Sequence, residues 1–307
     1  MDDRFDLVLQ QREATEAELD RRTLAHRRRV ARLRSGTELR LAARGGKGKK
    51  AAAAATRPLD FLALGDSWFE YPLDGNTPSV NTAIIPQLSQ IGSPPPVILN
   101  HGLHGQATTA VLKYENQERI ISAVTDPSQW VNRKPDAILV SMGGDDICGD
   151  QFAIYLDYMG SGLNAARFQG ALDSVEASYR DLFALRDAVA RGTPIFAHCY
   201  DYAIPNGVAT FCAGPWLQPS LEFSGYDLAA GLKIVSTMID GFAARLQKLA
   251  GQKNNNFVLI DTRKTLQRVW GPPMGWANEL HPYPPGFMAL AEKFLAALRK
   301  HFPKGAI

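Results

Sequence analysis

Short apolar runs, separated by longer amphipathic stretches, are the feature that most constrains the fold of this chain. Each run is only a few residues long, as is typical of strands buried on both faces of a parallel sheet. The candidate strands are 59–64, 97–99, 137–141, 194–197 and 257–260, and the candidate helices lie around 79–90, 106–124, 168–190, 228–250 and 286–300. This alternation predicts a three-layer α/β/α sandwich with a mostly parallel, five-stranded sheet and right-handed crossovers.

The length and composition of the chain are sufficient for such a core. Of its 307 residues, 45% are apolar and 21% are charged, which fits one large α/β domain with an appendage. No apolar run approaches the ~20 residues of a membrane span. Residues 1–6 contain three aspartates where a secretory signal would be basic, so we expect a cytoplasmic protein. The three cysteines have no paired metal-type spacing and fit a reducing compartment; they are Cys148, Cys199 and Cys212.

The net charge of +3 is distributed unevenly along the chain. Residues 1–57 carry 15 Lys or Arg against 8 Asp or Glu, a net charge of +7, which leaves −4 for residues 58–307. Leucines and valines recur at helical spacing within the basic part. We predict a basic amphipathic helical arm that ends in a flexible Gly/Lys/Ala linker, with a domain boundary near residue 57.

More than one role is open to this basic arm. It can pack on its own domain or on a second copy of the chain, or the Lys and Arg of residues 21–57 can attract nucleic acid or an anionic membrane surface. The segment has no aromatic side chains to stack on bases, which argues against nucleic acid. We expect residues 1–57 to be removable without unfolding residues 58–307.

Four polar or glycine-rich blocks follow candidate strands or precede candidate helices. In chain order they are Gly65-Asp66-Ser67, Asn100-His101-Gly102-Leu103-His104-Gly105, Gly143-Gly144-Asp145-Asp146 and Asn278-Glu279-Leu280-His281. Ligand crevices of open α/β sheets lie outside the carboxyl ends of the strands, so we expect the blocks to meet at one edge of the sheet. A turn after the first strand can expose the Ser67 hydroxyl, and the backbone of Gly105 can approach a ligand closely.

The four blocks resemble those of the SGNH subgroup of the GDSL hydrolases, and the resemblance covers about residues 59–300. It implies a flavodoxin-like fold and a serine esterase that uses no cofactor and no metal. It also implies Ser67 as nucleophile, His281 as general base, and an oxyanion hole formed by Ser67, Gly105 and the residue at position 145. Acyl esters, thioesters and O-acetylated sugars are the substrate classes that it suggests, and the sequence does not choose among them.

Two catalytic positions differ from the family pattern, which has Asn where this chain has Asp145 and Asp where it has Asn278. An ionised carboxylate cannot donate to an oxyanion, but burial or the neighbouring Asp146 can keep Asp145 protonated. Asn278 can accept the imidazole Nδ1–H and select the tautomer, although it gives imidazolium no charge stabilisation. Asp201 and Glu279 are alternative acids, and Asp201 is favoured because it should lie at the same sheet edge.

Other residues near the blocks suggest a pocket. Trp68, Tyr202 and Trp216 are candidates to bind an acyl or aryl group, and core packing explains them equally well. His101 and His104 flank the site without a matching metal set, and we interpret them as packing or surface histidines.

Two functions from other classes remain open. A non-catalytic binding protein on this scaffold is consistent with the changes at Asp145 and Asn278. A metal-dependent phosphoesterase could use Asp66, Asp145, Asp146 and His281, although the sequence lacks the paired histidine motifs usual in such sites.

Overall fold

Five parallel strands form the centre of the molecule in this computed structural model, which describes residues 3–43, 57–71, 82–160, 162–209, 214–268 and 275–307. The strands are β1 (Asp60–Gly65), β2 (Val97–Asn100), β3 (Ala137–Ser141), β4 (Ile195–His198) and β5 (Phe257–Ile260). The helices are α1 (Asp3–Ala43), α2 (Ile84–Leu88), α3 (Thr108–Val111), α4 (Tyr114–Thr125), α5 (Gly144–Ile147), α6 (Ala165–Val189), α7 (Gln218–Phe223), α8 (Leu228–Ala250) and α9 (Pro284–His301). Short 3-10 helices lie at Pro127–Gln129, Gly149–Tyr155, Lys253–Asn255 and Leu266–Arg268.

The strands form one sheet in the order β2-β1-β3-β4-β5. Phe61 of β1 pairs with Ile98 of β2 on one side and with Ala137 of β3 on the other, and all pairings are parallel. Helices α4, α6 and α8 pack in one group, and α2 packs on α9 in another. The predicted α/β/α sandwich is therefore confirmed. The strand order places a topological switch point between β1 and β3, where doubly wound sheets of this order bind their ligands.

The strand bounds differ by no more than one residue from those expected. The helical stretch expected at 106–124 is divided into α3 and α4, because Lys113 between them has an extended backbone (φ −60°, ψ 156°). The side chains of Asn116 and Gln117 donate to the carbonyls of Ala110 and Leu112 (2.7 and 2.6 Å) at this break. The helix expected around 79–90 is limited to α2, and residues 79–81 of it lie outside the described residues. The expected linker at 45–56 and Cys212 also lie outside them.

Helix α1 lies against β2 and the 3-10 helix Pro127–Gln129. Its inner face buries Leu19, His26 and Val30. Burial lowers the pKa of His26 to about 4, so the ring is neutral, and its Nε2 lies 2.6 Å from the carbonyl oxygen of Gln129. The arm thus packs on its own domain, and this buried face argues against the expectation that residues 1–57 can be removed freely.

None of the helices in the described part of the chain is long and apolar enough to cross a membrane. The cytoplasmic location expected from the sequence stays a prediction, as does self-association or anion binding through residues 21–57.

Candidate active site

Ser67 lies in a tight turn at the carboxyl end of β1. Gly65 has a φ of +143°, and a Cβ there would lie 2.1 Å from the carbonyl oxygen of Ser141, so the position requires glycine. The backbone N–H of Asp66 donates to the same carbonyl oxygen at 3.0 Å, and that of Phe69 donates to Asp66 O at 3.1 Å. These bonds tie the turn to the neighbouring strand β3 and fix the position of Ser67.

The side chains of Ser67, His281 and Asn278 form a hydrogen-bonded chain. Ser67 Oγ lies 2.7 Å from His281 Nε2, and His281 Nδ1 lies 3.2 Å from Asn278 Oδ1. The same Oδ1 accepts the backbone N–H groups of Leu280 (2.9 Å) and His281 (2.8 Å). Because these two donors fix the amide orientation, Nδ1 must carry the hydrogen that faces Oδ1. Nε2 is then free to accept from Ser67, as a general base requires.

Aromatic rings enclose the imidazole of His281. The ring of Tyr71 stacks on it at 4.0 Å between centroids, and Trp216 meets it edge-on at 5.5 Å. The Tyr71 hydroxyl also accepts a hydrogen bond from Asn278 Nδ2 at 3.0 Å. Burial, together with repulsion from His104, lowers the pKa of His281 to about 3. The ring is therefore neutral at neutral pH.

Two residues that line the site have backbone N–H groups without a partner among the described residues. The N–H groups of Ser67 and Gly105 have no hydrogen-bond acceptor among the described residues, and both residues line an open groove of about 510 Å³. Gly105 has a φ of +69°, and the space around its Cα is open. The loop before it is held on β1, since His101 N donates to Ala63 O and Leu103 N to Gly65 O, both at 2.8 Å. This arrangement is suited to holding an anionic oxygen.

The third block brings Asp145 to the same groove. Gly143 has a φ of +111°, and a Cβ would meet the ring of Phe242 at 2.6 Å; a Cβ on Gly144 would meet the ring of Tyr200 at 2.6 Å. The two glycines thus let the backbone pass close to these rings. Asp146 also lines the groove, and its carboxylate accepts from Thr108 N (2.9 Å) and Thr108 Oγ1 (2.7 Å).

The half-buried side chain of Asp145 has one oxygen, Oδ2, that is sealed from solvent and has no hydrogen-bond partner among the described residues. Burial, together with the charges of Asp66 and Asp146, raises the pKa of Asp145 to about 8. An ionised carboxylate would leave negative charge on the unpartnered oxygen, which is costly. Both effects favour the protonated, neutral form of Asp145 at neutral pH.

Asp66 anchors a buried polar network beneath the nucleophile. His198 Nδ1 accepts the N–H of Tyr200 at 3.1 Å, so His198 Nε2 carries the hydrogen and donates to Ser141 Oγ at 2.8 Å. Ser141 Oγ donates to Asp66 Oδ1 at 2.6 Å, and the Tyr200 hydroxyl donates to Asp66 Oδ2. Burial raises the pKa of Asp66 to about 6, although these donors lower it. Ser141 and His198 were not predicted as site residues, although each is a polar residue that ends an otherwise apolar strand.

The two alternative acids serve other partners. Asp201 accepts the backbone N–H groups of Tyr202, Lys264 and Leu266, each at 2.7 Å. Glu279 accepts four backbone N–H groups at 2.5–3.0 Å, from Gly207, Trp216, Leu217 and Gln218. These carboxylates anchor loops, whereas His281 Nδ1 contacts Asn278 Oδ1. The contacts contradict the hypothesis that Asp201 or Glu279 orients His281.

The groove meets an apolar cavity of about 60 Å³ at Ser67, Asp145 and His281. The apolar wall of the cavity includes Phe152, Ala203, Leu217, Val235, Met238 and Ile239. Of the predicted pocket aromatics, Trp68 lines the cavity and Trp216 the groove. Tyr202 lines neither of these two spaces, and its hydroxyl donates to Asp240 at 2.7 Å; its assignment to a substrate pocket stays a prediction.

The remaining candidates have separate environments. His101 is buried, with Nε2 3.3 Å from Thr23 Oγ1 of α1, and His104 lies exposed at the rim of the groove. Within the described ranges, no group of three or more His, Cys, Asp or Glu side chains is arranged to hold a metal ion.

Three solved structures have a similar fold. Phospholipase A1 from Streptomyces albidoflavus is 12% identical and covers 78% of this chain and 99% of its own, with a TM-score of 0.50. An extracellular lipase from Streptomyces rimosus (16% identity, 78% and 99% coverage, TM-score 0.49) and a member of the lipolytic G-D-S-L family from Veillonella parvula (15%, 79% and 99%, 0.48) are also similar. The chain has the α/β fold of the GDSL-like SGNH hydrolases. No family model matches it, and comparison with curated proteins also finds no match.

Proposed function

We propose that this protein is a serine hydrolase that cleaves carboxylic esters through an acyl-enzyme on Ser67. One observation carries the proposal: the hydrogen-bonded chain from Ser67 Oγ through His281 to Asn278 stands where an open groove meets an apolar cavity. The nucleophile and its base are at hydrogen-bond distance, and the base is oriented by a third side chain, which is the pattern of an activated serine. The fold, shared with lipases, supports the same reaction class.

The neutral His281 Nε2 would take the Ser67 proton as Oγ bonds to the ester carbonyl carbon. The carbonyl oxygen becomes an oxyanion that accepts the N–H groups of Ser67 and Gly105. The imidazolium then passes its proton to the leaving alcohol as the carbon–oxygen bond breaks. In the second half, His281 takes a proton from water as the water attacks the acyl carbon, and Ser67 recovers a proton when the carboxylic acid leaves.

Asp145 would be the third donor to the oxyanion. Its sealed Oδ2 suits the carbonyl oxygen of a neutral acid, which puts the hydrogen on Oδ1, the oxygen that faces the groove in this proposal. A protonated carboxyl group can donate as an amide does. The site can therefore keep three donors although a carboxylic acid occupies the asparagine position of the family.

Asn278 would orient His281 but give no charge stabilisation to the imidazolium. Burial already lowers the pKa of His281 to about 3, so protonation of the ring is costly. We therefore expect slow turnover relative to an enzyme with a carboxylate at this position.

The two adjoining spaces suggest how an ester would lie. The apolar cavity behind Ser67 would take a short acyl chain, and the wider groove, with His104 and Gln151 in its wall, would take the alcohol. The substrate that fits best is a short-chain ester of a polar alcohol.

A fluorophosphonate probe tests the nucleophile. Ser67 should be labelled, Ser67→Ala should lose all labelling, and His281→Ala should slow it strongly. Ser128→Ala, an exposed serine far along the chain, is the matched control and should label as the wild type does. Labelling of a different serine would reject the assignment.

The alternative is a non-catalytic binding protein, and the uncharged Asn278 is the observation that favours it. Hydrolysis of p-nitrophenyl butyrate separates the two functions, because a binding protein would show neither turnover nor labelling at Ser67. Activity that survives Ser67→Ala but is lost with a chelator would instead indicate a metal-dependent phosphoesterase or esterase.

A further inference from the structure

The guanidinium of Arg22 on α1 contacts both loops that carry the unpartnered backbone donors. Its Nη1 donates to the carbonyl oxygen of Gly102 at 2.9 Å, and its Nη2 lies 3.3 Å from Glu70 Oε1. Its Nε donates to Glu18 Oε1, one turn earlier on α1, at 2.7 Å. The Arg22 side chain is 20% exposed, so two carboxylates and a carbonyl hold a largely buried charge.

Asn100, at the end of β2, joins the same two loops. Its Nδ2 donates to the carbonyl oxygen of Phe69 at 3.0 Å and to Glu70 Oε2 at 2.7 Å. Its Oδ1 accepts the N–H of Gly102 at 2.9 Å. The N–H of Gly102 thus donates to Asn100, and its carbonyl oxygen accepts from Arg22. The carboxylate of Glu70 contacts both side chains, Arg22 through Oε1 and Asn100 through Oε2.

These contacts link the surroundings of the two donors. The N–H of Glu70 donates to Asp66 O at 3.2 Å, which closes the turn that contains Ser67. Gly102 stands three residues before Gly105, in a loop with no regular secondary structure between β2 and α3. The bridge that Arg22, Glu70 and Asn100 form thus joins the two loops, in addition to the backbone bonds of His101 and Leu103 to β1.

We propose that Arg22 is a positioning residue for the oxyanion hole, through which α1 completes the catalytic centre. The inference rests on the proposed function and adds to it a residue from outside the predicted hydrolase domain. Arg22 acts through Gly102 and Glu70 and does not touch the reacting atoms. Its planar guanidinium can serve two acceptors at once, which a lysine ammonium does less well.

Arg22→Ala should release the carbonyl of Gly102 and remove the guanidinium that contacts Glu70. Small displacements of groups that bind a transition state lower the rate much more than substrate binding, so kcat should fall roughly tenfold to a hundredfold with KM little changed. Arg22→Lys, which keeps the charge and the aliphatic stem, should recover only part of the loss.

The experiment uses the full chain and two readouts. The first is kcat and KM for p-nitrophenyl butyrate, and the second is amide hydrogen exchange of residues 100–106. Arg27→Ala is the matched control, because Arg27 lies on the same helix and pairs with Asp126 of the body at 2.6 Å without contacting either loop. We expect faster exchange at 100–106 and a lower kcat in the Arg22 variants, and wild-type behaviour in Arg27→Ala.

Unchanged exchange at 100–106 in Arg22→Ala would overturn the inference, as would an equal loss of kcat in Arg27→Ala. If Arg22→Ala also exposes α1 to exchange, Arg22→Lys decides, and a fully active lysine variant overturns the positioning role. A wild-type protein without hydrolysis or labelling would reject the proposed function instead. The exchange measurement would still decide whether Arg22 joins the two loops.

Discussion

One oxygen, Asn278 Oδ1, accepts both the backbone N–H of His281 at 2.8 Å and the Nδ1–H of its ring at 3.2 Å. The amide therefore orients the imidazole and selects its tautomer as a carboxylate would. It cannot stabilise the imidazolium by charge. Of the two roles that a carboxylate has at this position, Asn278 therefore keeps the orientation of the ring and lacks the electrostatic stabilisation.

Restoring the carboxylate should separate these contributions. In Asn278→Asp, one oxygen can keep the three bonds of Oδ1, and the Tyr71 hydroxyl can donate to the other oxygen instead of accepting from Nδ2. We expect the carboxylate to stabilise the transition state by about 1–3 kcal/mol. The kcat for p-nitrophenyl butyrate should therefore rise, with KM nearly unchanged. Asn278→Ala, which removes the acceptor altogether, should lower kcat. A slower Asn278→Asp variant with intact folding would contradict this account of the site.

The proton on Asp145 should make the activity sensitive to alkaline pH. Burial raises the pKa of this group to about 8, so its donor form is present below that pH and is lost as the pH rises through it. We expect kcat/KM to fall above about pH 8 in the wild type. In Asp145→Asn the amide donates at every pH, so the rate should change little at about pH 6 and the alkaline fall should disappear. If kcat/KM of the variant still fell at alkaline pH as in the wild type, the fall would be due to the titration of another group.

The apolar cavity should set the acyl-chain length. Ala203 lines its wall, so Ala203→Leu should reduce the volume available for the acyl group. We expect kcat/KM for p-nitrophenyl hexanoate to fall by roughly tenfold or more while that for the acetate changes little, because a longer chain must displace the added methyl groups. Ala107→Leu, in the wall of the groove, is the matched control and should leave the acyl preference unchanged. Equal losses for both esters in Ala203→Leu would place the acyl chain elsewhere.

Packing of α1 on the body should contribute to global stability. Leu19 on its inner face is 1% exposed, whereas Leu24 on the same helix is 49% exposed. Leu19→Ala should lower the free energy of unfolding by about 2–5 kcal/mol, and Leu24→Ala should change it by less than about 0.5 kcal/mol. Urea denaturation of both variants measures the difference. Small and equal effects would support the expectation that residues 1–57 form a separable arm.

The amino-acid sequence by itself determined the sheet and the location of the site. Buried strands leave a local signature in short apolar runs, and the loops after parallel strands converge at one edge whatever their detailed conformation. For this reason Ser67, Gly105, Asp145 and His281 could be assigned to one crevice before any distance was known. Their assigned chemical roles remain predictions.

Tertiary structure alone decided the states and partners of these residues. The proton on Asp145 depends on burial and on the unpartnered Oδ2, and the tautomer of His281 depends on the two N–H groups that orient Asn278. Arg22 contacts Gly102 across 80 residues of sequence. Local periodicity carries no information on such effects, because desolvation and long-range hydrogen bonds arise only when distant segments pack together.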